Sequence, residues 1–506
     1  MSADAALLQV PSGLPVLRPG TPLEGDRDYL PAALRGSDLV VNESGNNSLP
    51  YPDGLREHHG ELVPGQQNTW YCYVPRSLRP GTAPPLVVSV HGGLMTGWGQ
   101  AVYSSWTVVA EREGLVVVFP DATSRRVWTL EVPPDQVAAV CTPNPSGIWL
   151  DHPAERAEDH ADMRFLHALI DWAVAEHHVD PCRVHLHGMS MGHVMSDQFA
   201  RHAGHRLAGL AGSGGLTAPQ LLVDDDGAPR NAGGPVPVLM CLAEHDTAPP
   251  FTGSSVREVL RSDLDYWKAV NGVEGPPQIA VRGRDNYAFY AGRRADVVLR
   301  DVKDRDHGQT IDDAEVVWDL LFSGVRRTAD GRLEHSAPLV PRAGDAVAVA
   351  VAEGADHAWV GQRAVPVGGA VLRRQVLKHH GVEGDPLVRA QHLYAPVGFL
   401  GAAFGVRVST SEDGTTAEAE LPDGRHLAVA RGSAACLVDG RVRAMDAEAV
   451  LLGGQLWLPV EWFAVDLLGL RASACGRVLY VTDHHAELST HLAHLIEDLL
   501  DAGTSA

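Results

Sequence analysis

The sequence has no long apolar run, no paired cysteine motif and no excess of positive charge. Its 506 residues contain no stretch of about 18 consecutive apolar residues, which a membrane-spanning helix needs, so no transmembrane segment or membrane insertion is expected. The N-terminal stretch MSADAALLQVPSGLPVLRPG has no basic region followed by a continuous apolar segment, so no signal peptide is predicted. The six cysteines are scattered without a Cys-x-x-Cys pair, which indicates neither a common zinc-ligand spacing nor a disulfide framework.

Basic residues are scarce relative to acidic ones. The chain has 41 Lys and Arg against 63 Asp and Glu, a formal net charge of -22. Binding to nucleic acid or to an anionic membrane surface needs a basic patch, so neither partner is expected, and we interpret the acidic excess as a contribution to solubility. The hydrophobic share of 45% and the charged share of 21% are ordinary for a globular protein, so a sizeable core is expected.

Short apolar runs between residues 70 and 302 predict buried strands of a mostly parallel sheet. These runs are WYCYV (70–74), PLVVSV (85–90), LVVVF (115–119), RVHL (183–186), VPVLMCL (236–242) and ADVVLRDV (295–302). Amphipathic helical patterns such as DMRFLHALIDWAVAEHH (162–178) lie between them. This alternation predicts an α/β domain over residues 61–330. Residues 1–60, which are rich in Pro, Gly, Asn and Asp, are predicted to be an irregular N-terminal arm.

The remainder of the chain is turn-rich and contains an internal duplication. The segment LYAPVGFLGAAFGVRVS (393–409) is similar to LWLPVEWFAVDLLGLRAS (456–473), with one residue inserted in the second copy. Each copy predicts a strand, a proline, a short helix, a glycine and a second strand. We therefore expect a linker over residues 331–364 and a small C-terminal α+β domain over residues 365–506, which ends in an amphipathic helix.

Ser190 lies at the centre of Gly-Met-Ser-Met-Gly, between the predicted strand RVHL and a predicted helix. A serine hydroxyl becomes a nucleophile when a histidine takes its proton and a carboxylate orients that histidine. A glycine-flanked turn from strand to helix exposes such a serine. The pattern predicts Ser190 as nucleophile, with a serine in a helix-capping turn as the alternative. Ser213, in AGSGG, is a rival by composition, but no predicted helix follows it, and we interpret it as part of a turn.

The acid is predicted at Asp246, which comes directly after the predicted strand VPVLMCL. The site of a parallel sheet lies at the carboxyl ends of its strands. Glu244, two residues earlier, is the nearest competitor. Asp263 and Asp265 fall in a helical pattern and are interpreted as residues of its solvated face.

The base is predicted at His307. Its segment DRDHGQT follows the predicted strand ADVVLRDV and precedes a predicted helix, so the loop places the side chain over the carboxyl edge of the sheet. The alternative is a loop histidine paired with Asp304 or Asp306.

A donor loop for an oxyanion is predicted directly after PLVVSV, at His91-Gly92-Gly93-Leu94. Glycines there let backbone N–H groups face an open cavity. The predicted donors are the N–H groups of Met191 and of Gly93 and Leu94.

Two residues are predicted to contact substrate, Trp98 and His193. Trp98 belongs with Trp106, Trp128 and Trp149 to a set that could line an aromatic cleft, with core packing as the alternative for each. His193 ends the stretch HLHGMSMGH, where it could narrow the pocket. No metal and no cofactor are predicted, because no HExxH motif or carboxylate set accompanies the paired histidines at 58/59, 177/178, 379/380 and 484/485.

Several segments together resemble one enzyme family. SVHGGLMTGWGQ, SSWTVVAEREGLVVVFPDA, VDPCRVHLHGMSMGHVMSDQFA and DHGQT are similar to the polyhydroxybutyrate depolymerase and feruloyl esterase-like α/β-hydrolases, over roughly residues 60–325. The resemblance implies an α/β-hydrolase fold and hydrolysis of carboxylic esters. It also implies that Ser190 is the nucleophile, Asp246 the acid and His307 the base.

The tail, about residues 365–483, resembles the copper amine oxidase N-terminal-like, or stalk, domain. In other proteins this module is a non-catalytic appendage without a copper site, usually outside the cell. The resemblance therefore implies self-association or surface attachment through the C-terminal domain and points to the cell exterior, whereas the absence of a signal peptide indicates the cytoplasm.

The sequence as a whole predicts a serine esterase that acts on a small-molecule or polymeric ester, of polyhydroxyalkanoate or feruloyl type. The alternatives are a non-catalytic surface-binding protein on a hydrolase scaffold and a serine peptidase of the same fold.

Overall fold

The computed structural model of the chain contains two compact units. The first comprises residues 1–274, 290–300 and 305–342, and the second comprises residues 275–289, 301–304 and 343–506. The structure describes residues 49, 52–79, 81–143, 149–249, 252–379 and 386–502.

Strands and helices are numbered in chain order. The strands are β1 Leu55–Val63, β2 Gln66–Tyr73, β3 Leu86–Val90, β4 Val116–Pro120, β5 Val184–Met189, β6 Gly209–Ser213, β7 Val238–Ala243, β8 Gln278–Arg282, β9 Asp285–Tyr290, β10 Val297–Val302, β11 Val325–Arg327, β12 Leu333–His335, β13 Val349–Ala352, β14 His357–Val360, β15 Arg363–Pro366, β16 Leu372–His379, β17 Pro386–Pro396, β18 Arg407–Thr410, β19 Thr416–Glu420, β20 His426–Ala430, β21 Ala435–Val438, β22 Arg441–Ala444, β23 Val450–Leu452, β24 Gln455–Pro459, β25 Arg471–Cys475 and β26 Val478–Thr482. The helices are α1 Gly97–Tyr103, α2 Trp106–Glu113, α3 Val137–Val140, α4 Ala161–His177, α5 Met191–Ala203, α6 Val256–Asn271, α7 Asp313–Leu320, α8 Val397–Ala403, α9 Val460–Trp462 and α10 Thr490–Ala502. No helix within the described ranges is long and apolar enough to cross a bilayer.

The first unit carries a mostly parallel sheet with the strand order β1-β2-β4-β3-β5-β6-β7-β10. Strand β3 pairs in parallel with β4 and β5, and β5, β6 and β7 continue in parallel, whereas β1 and β2 are antiparallel. Every residue of β3 and β4 is buried, as expected for valine-rich strands that are covered on both faces. The predicted α/β-hydrolase class of fold is confirmed.

Helices of the first unit have the predicted amphipathic character. Helix α4 buries one face, including Met163, Phe165 and Leu166. Helix α6 begins with a capping box, in which Ser255 and Glu258 satisfy each other's backbone N–H groups. It ends at Gly272, whose φ of 66° is the left-handed conformation that glycine adopts at helix ends.

The second unit is built mainly from antiparallel strands. Three of its sheets have the orders β15-β14-β13-β26-β25, β16-β17-β24-β23 and β18-β19-β20-β21-β22. A hydrophobic core joins residues of all three, for example Val351, Leu458 and Leu427. This unit contains the separate C-terminal region that the turn-rich composition predicted. It also includes residues 275–289 and 301–304, which the sequence placed in the α/β domain.

The two similar segments of the C-terminal domain have the same order of elements. The first runs from β17 through Pro396 into α8 and β18, and the second from β24 through Pro459 into α9 and β25. Strands β17 and β24 pair with each other, with Pro396 opposite Trp457. The second copy continues from α9 into a π-helical turn over Phe463–Leu467. A π-helical turn accommodates one extra residue within a helix, which is where the second copy has its insertion.

Two predicted boundaries differ from the structure. Strand β1 begins at Leu55, inside the predicted N-terminal arm, of which residues 1–48, 50 and 51 lie outside the described residues. Its residues between Leu55 and Val63 are only partly buried or exposed, so no apolar alternation marks the strand. The predicted linker over 331–364 contains β12, β13, β14 and the first half of β15. Strand β13 pairs with β26, which lies more than a hundred residues later, and local sequence cannot show such a pairing.

Candidate active site

Ser190 occupies a turn of one residue between strand β5 and helix α5. Its φ of 54° and ψ of -122° form a conformation that costs a non-glycine residue roughly 1–3 kcal/mol. A Cβ atom added to Gly188 would lie 2.1 Å from the carbonyl oxygen of Gly192, and one added to Gly192 would lie 2.3 Å from that of Val90. Both flanking positions therefore exclude a side chain, which is the physical reason for the two glycines of the motif.

His307 lies between Ser190 and Asp246. Its Nε2 is 2.9 Å from the Oγ of Ser190, and its Nδ1 is 2.6 Å from Oδ1 of Asp246. Because an ionised carboxylate only accepts hydrogen bonds, Nδ1 donates to Asp246 and Nε2 is left to accept the proton of the serine hydroxyl. Oδ2 of Asp246 accepts the backbone N–H of Ala243 at 2.8 Å, which holds the carboxylate in place.

Hydrogen bonding and burial shift the pKa of His307 in opposite directions. The hydrogen bond to Asp246 raises the pKa of His307 above its ordinary value of 6.5, and partial burial lowers it by less. The side chain of His307 is half exposed, whereas that of Asp246 is buried. Gly214 closes one side of this pair, because a Cβ added there would lie 3.1 Å from Cε1 of His307.

Ser213, the rival nucleophile, is buried at the end of strand β6. Its hydroxyl donates a 2.8 Å hydrogen bond to Oδ2 of Asp313. Among the rival acids, Glu244 is buried, and the carboxylate that accepts from Nδ1 of His307 is that of Asp246. Asp263 differs from its interpretation as a solvated residue, because it is only 4% exposed and accepts the N–H of Thr217 at 3.0 Å.

The predicted donor loop lies beside Ser190, with one correction. Gly93 and Met191 line the same cavity as Ser190. The N–H of Leu94 donates to the carbonyl oxygen of Arg126 at 2.8 Å, so this group is not available to an oxyanion. Within the described part of the chain, the N–H groups of Gly93 and Met191 have no protein acceptor. Met191 is the first residue of α5, and the first N–H groups of a helix have no partner inside it.

The buried side chain and backbone of His91 anchor the start of this loop through hydrogen bonds. It is fully buried, and its burial lowers its pKa to about 4, so the ring is neutral at pH 7. Nδ1 contacts the carbonyl oxygen of Gly92 at 2.6 Å, and Nε2 accepts the N–H of Ala122 at 3.0 Å. Trp128 donates to the carbonyl oxygen of His91 at 2.7 Å. The residue before the donor glycines is therefore held on several sides.

A cavity of about 930 Å³ opens beside Ser190 and His307. Its walls are mainly aliphatic, and among its described lining residues only Glu131 and His307 carry ionisable side chains. The lining residues are Gly93, Leu130, Glu131, Gln136, Ala139, Val140, Trp149, Leu150, Ser190, Met191, Val194, Gly214, Gly215, Leu216, Ala218, Leu221, Thr247, Ala248, Pro249, Gly253 and His307.

The two predicted substrate contacts do not line this cavity. Trp98 is buried in helix α1. His193 is 3% exposed, and burial lowers its pKa to about 4. Its ring packs beneath the site, where a Cβ added to Gly212 would lie 2.2 Å from its Cδ2. The prediction failed because both residues lie near the motifs in sequence, while their side chains point into the scaffold.

Of the other three tryptophans, only Trp149 lines the cavity, while Trp106 and Trp128 are fully buried. Arg125 lies over the Trp149 ring at 4.4 Å from its centre. Sequence reasoning missed Glu131, Leu216 and most other lining residues, because no motif marks the loops that carry them.

The paired histidines do not form a metal-ligand cluster where the structure describes their side chains. Among the histidines at 58/59, 177/178 and 484/485, none belongs to a group of three ligand-type side chains within coordinating distance, and the pair at 379/380 lies outside the described side chains.

The fold and the serine turn define the class of this unit. A parallel sheet in which one strand leads through a strained, glycine-flanked serine into a helix is the arrangement of the α/β-hydrolases. Asp246 lies in the loop after β7 and His307 in the loop after β10, so the acid precedes the histidine in the chain, as it does in that fold.

Comparisons with known proteins find esterases. The chain is 23% identical over 272 residues to a bifunctional acetylxylan esterase/xylanase of Neocallimastix patriciarum, covering 53% of this chain and 34% of the relative. The chain thus spans about a third of the length of that curated relative. Among solved structures it is similar to an acetyl xylan esterase from Aspergillus awamori, with 16% identity, a TM-score of 0.37 and coverage of 53% of this chain and 98% of that one. It is also similar to a poly(3-hydroxybutyrate) depolymerase from Bordetella parapertussis, with 18% identity, a TM-score of 0.30 and coverage of 43% and 77%.

The C-terminal resemblance is confirmed. Residues 377–473 match the family described as copper amine oxidase N-terminal domain. This match includes both copies of the internal duplication.

Proposed function

We propose that the protein is a serine esterase that hydrolyses carboxylic esters through an acyl-enzyme. The observation that carries the proposal is the pair of hydrogen-bond distances at His307, 2.9 Å to the Oγ of Ser190 and 2.6 Å to Asp246. Nucleophile, base and orienting acid in this order form the geometry that activates a serine hydroxyl at neutral pH.

In the proposed reaction, Nε2 of His307 takes the proton of Ser190 as Oγ attacks the ester carbonyl carbon. The N–H groups of Gly93 and Met191 donate to the oxygen that becomes negative, where preorganised donors stabilise the transition state. The carbonyl re-forms, the C–O bond to the alcohol breaks, and His307 returns the proton to the leaving alkoxide. Water, deprotonated by His307, then attacks the acyl-enzyme and releases the acid.

Three classes of ester are candidates for the substrate. The sequence resemblance favours polyhydroxyalkanoate-type or feruloyl-type esters, and the curated relative is named as an acetylxylan esterase. We propose that the C-terminal domain contributes no catalytic group and serves self-association or attachment to a surface, in keeping with the stalk modules that it resembles.

The test is labelling and activity of the full chain with Ser190 intact or replaced. An aryl fluorophosphonate should modify the protein once, with the Oγ–P bond forming and fluoride leaving, and peptide mapping should place the adduct on Ser190. Ser190→Ala should lose labelling and lose p-nitrophenyl ester hydrolysis by about 10³-fold or more, while its circular dichroism stays unchanged. The matched control is Ser213→Ala, which should still be labelled.

Each alternative has its own outcome in this experiment. Failure of the unaltered protein to label and to hydrolyse any ester would favour a non-catalytic surface-binding protein. Cleavage of p-nitroanilides as fast as the matching esters would favour a peptidase.

A further inference from the structure

One wall of the cavity is formed by the segment that follows strand β6. Residues 214–221, here called the 214–221 wall, contribute Gly214, Gly215, Leu216, Ala218 and Leu221 to the lining. The wall begins against the nucleophile, because a Cβ added to Gly215 would lie 2.5 Å from the carbonyl oxygen of Ser190. Leu216 is therefore the first side chain of the wall next to the reacting serine.

Buried carboxylates hold this wall from behind. Thr217, between two lining residues, donates its N–H to Asp263 at 3.0 Å and its hydroxyl to Asp197 at 2.8 Å. Both carboxylates are buried, and Trp267 also donates to Asp197 at 2.8 Å. Buried hydrogen bonds are costly to break, so these two bonds hold the backbone of the wall at Thr217.

The same network holds the wall that carries Glu131. Arg201 donates its Nε to Asp197 at 2.9 Å and its Nη2 to Glu131 at 2.6 Å. His202 contacts the second oxygen of Glu131 at 2.9 Å. Burial alone would raise the pKa of Glu131, but the hydrogen bond from His202 and the charge of Arg201 lower it to about 2. Two walls of the cavity are thus tied to one buried array on helix α5.

The side chains of the 214–221 wall favour uncharged aliphatic groups on a ligand. The lining side chains of the 214–221 wall are all aliphatic, so this wall favours methylene groups and offers no side-chain partner to a sugar hydroxyl, which would lose its hydrogen bonds to water. The Glu131 carboxylate is already paired with Arg201, and the described lining residues include no lysine or arginine, so a carboxylate on the ligand would lack a cationic partner there. A volume near 930 Å³ is also far larger than an acetyl group needs.

Resting on the proposed esterase function, we propose that the 214–221 wall binds an uncharged aliphatic acyl chain longer than acetyl. Leu216 and Leu221 are the specificity-determining residues, and Asp197 and Arg201 act as positioning residues for the wall. The substrate class is therefore a neutral ester of a medium-length aliphatic acid.

The test compares four p-nitrophenyl esters on the full chain: acetate, hexanoate, octanoate and the half-ester of adipic acid, which has the chain length of hexanoate but ends in a carboxylate. The value of kcat/KM for hexanoate should exceed those for acetate and for the adipate half-ester by roughly tenfold or more. Leu221→Ala should lower kcat/KM for hexanoate and octanoate about tenfold more than for acetate.

Two further variants keep the inference falsifiable. Ala218→Leu narrows the cavity and should reduce octanoate turnover about tenfold more than acetate turnover. Val223→Ala is the control, because it also shortens an aliphatic side chain. Val223 is 38% exposed and does not line the cavity, so the preference for acyl chain length should stay unchanged.

Acetate as the best ester, or equal losses on all esters in Leu221→Ala and Ala218→Leu, would overturn the inference while labelling at Ser190 left the esterase proposal standing. Absence of both labelling and turnover in the unaltered protein would overturn the two proposals together.

Discussion

The backbone N–H of Ser190 donates a 2.7 Å hydrogen bond to the carbonyl oxygen of Ser213. The hydroxyl of Ser213 donates to Asp313, and His187 and Arg300 contact the same carboxylate at 3.0 and 3.1 Å. The two serines that the sequence offered as nucleophiles are therefore hydrogen-bonded to each other through their backbones. Ser190 lines the cavity, whereas the hydroxyl of Ser213 is engaged with a buried carboxylate, and only the backbone carbonyl of Ser213 contacts the turn.

The strain at Ser190 predicts an unusual effect of glycine. Ser190→Gly and Ser190→Ala should both be inactive, but the glycine variant should be about 1 kcal/mol more stable to unfolding, because glycine adopts a φ of 54° freely. Thermal melting of the two variants under identical conditions provides the comparison. A lower melting temperature for the glycine variant would contradict the strain that we assign to this turn.

Removal of the Asp246 charge should change both the rate and the pH profile. Neutral His307 is the base, and its pKa lies above 6.5 because of the hydrogen bond to Asp246. Ester hydrolysis should therefore decline as the pH falls through a midpoint above 6.5. In Asp246→Asn only burial acts on the ring, so the residual activity should titrate at lower pH, with kcat reduced about 10³- to 10⁴-fold. An acid limb that stays in place would mean that another group controls it.

The glycines of the serine turn should not tolerate a methyl group. Gly192→Ala should destabilise the first unit by about 3 kcal/mol or prevent its folding, because its Cβ would lie 2.3 Å from the carbonyl oxygen of Val90. Gly398→Ala, in helix α8, is the control, because its Cβ would meet nothing within 4 Å. This control should be as stable as the unaltered protein or slightly more stable. Soluble yield and melting temperature measure both variants.

Ionisation of the buried Asp263 side chain should make the folded protein less stable at high pH. Burial, and then the charge of Asp197, raise the pKa of Asp263 well above 3.8. The folded protein therefore holds this proton more tightly than the unfolded chain, and stability is lost as the pH rises from 3.8 toward the folded pKa. Asp263→Asn cannot ionise and keeps an oxygen for the N–H of Thr217, so it should be about 1 kcal/mol more stable than the unaltered protein at pH 8.

The gain in Asp263→Asn should shrink as the pH approaches 4. Asp265→Asn is the control on the same helix, because that side chain is 57% exposed and its surface pairs contribute little. Melting curves at pH 5 and pH 8 are the measurement. Equal gains at both pH values would contradict the pKa shift.

Local features of the sequence predicted the central buried strands of the first unit. Valine-rich runs predicted β3 and β4, because strands buried on both faces are apolar at successive positions. Strand β1 could not be predicted in this way, because most of its side chains are partly or fully exposed.

The predicted nucleophile, acid and base follow from position in the chain, since each comes directly after a predicted strand. The carboxyl ends of parallel strands lie at one edge of a sheet, so Ser190, Asp246 and His307 could be expected near each other. Hydrogen-bond distances of 2.9 and 2.6 Å agree with this placement.

The sequence by itself determined the α/β alternation, the glycine-flanked turn and the duplicated C-terminal segment, because each depends on residues that are neighbours in the chain. The tertiary structure alone decided that the N–H of Leu94 binds Arg126, that Trp98 and His193 point inward, and that Glu131 faces the cavity. These outcomes depend on contacts between residues far apart in sequence, such as Arg201 with Glu131, which form only when helices and loops pack onto the sheet.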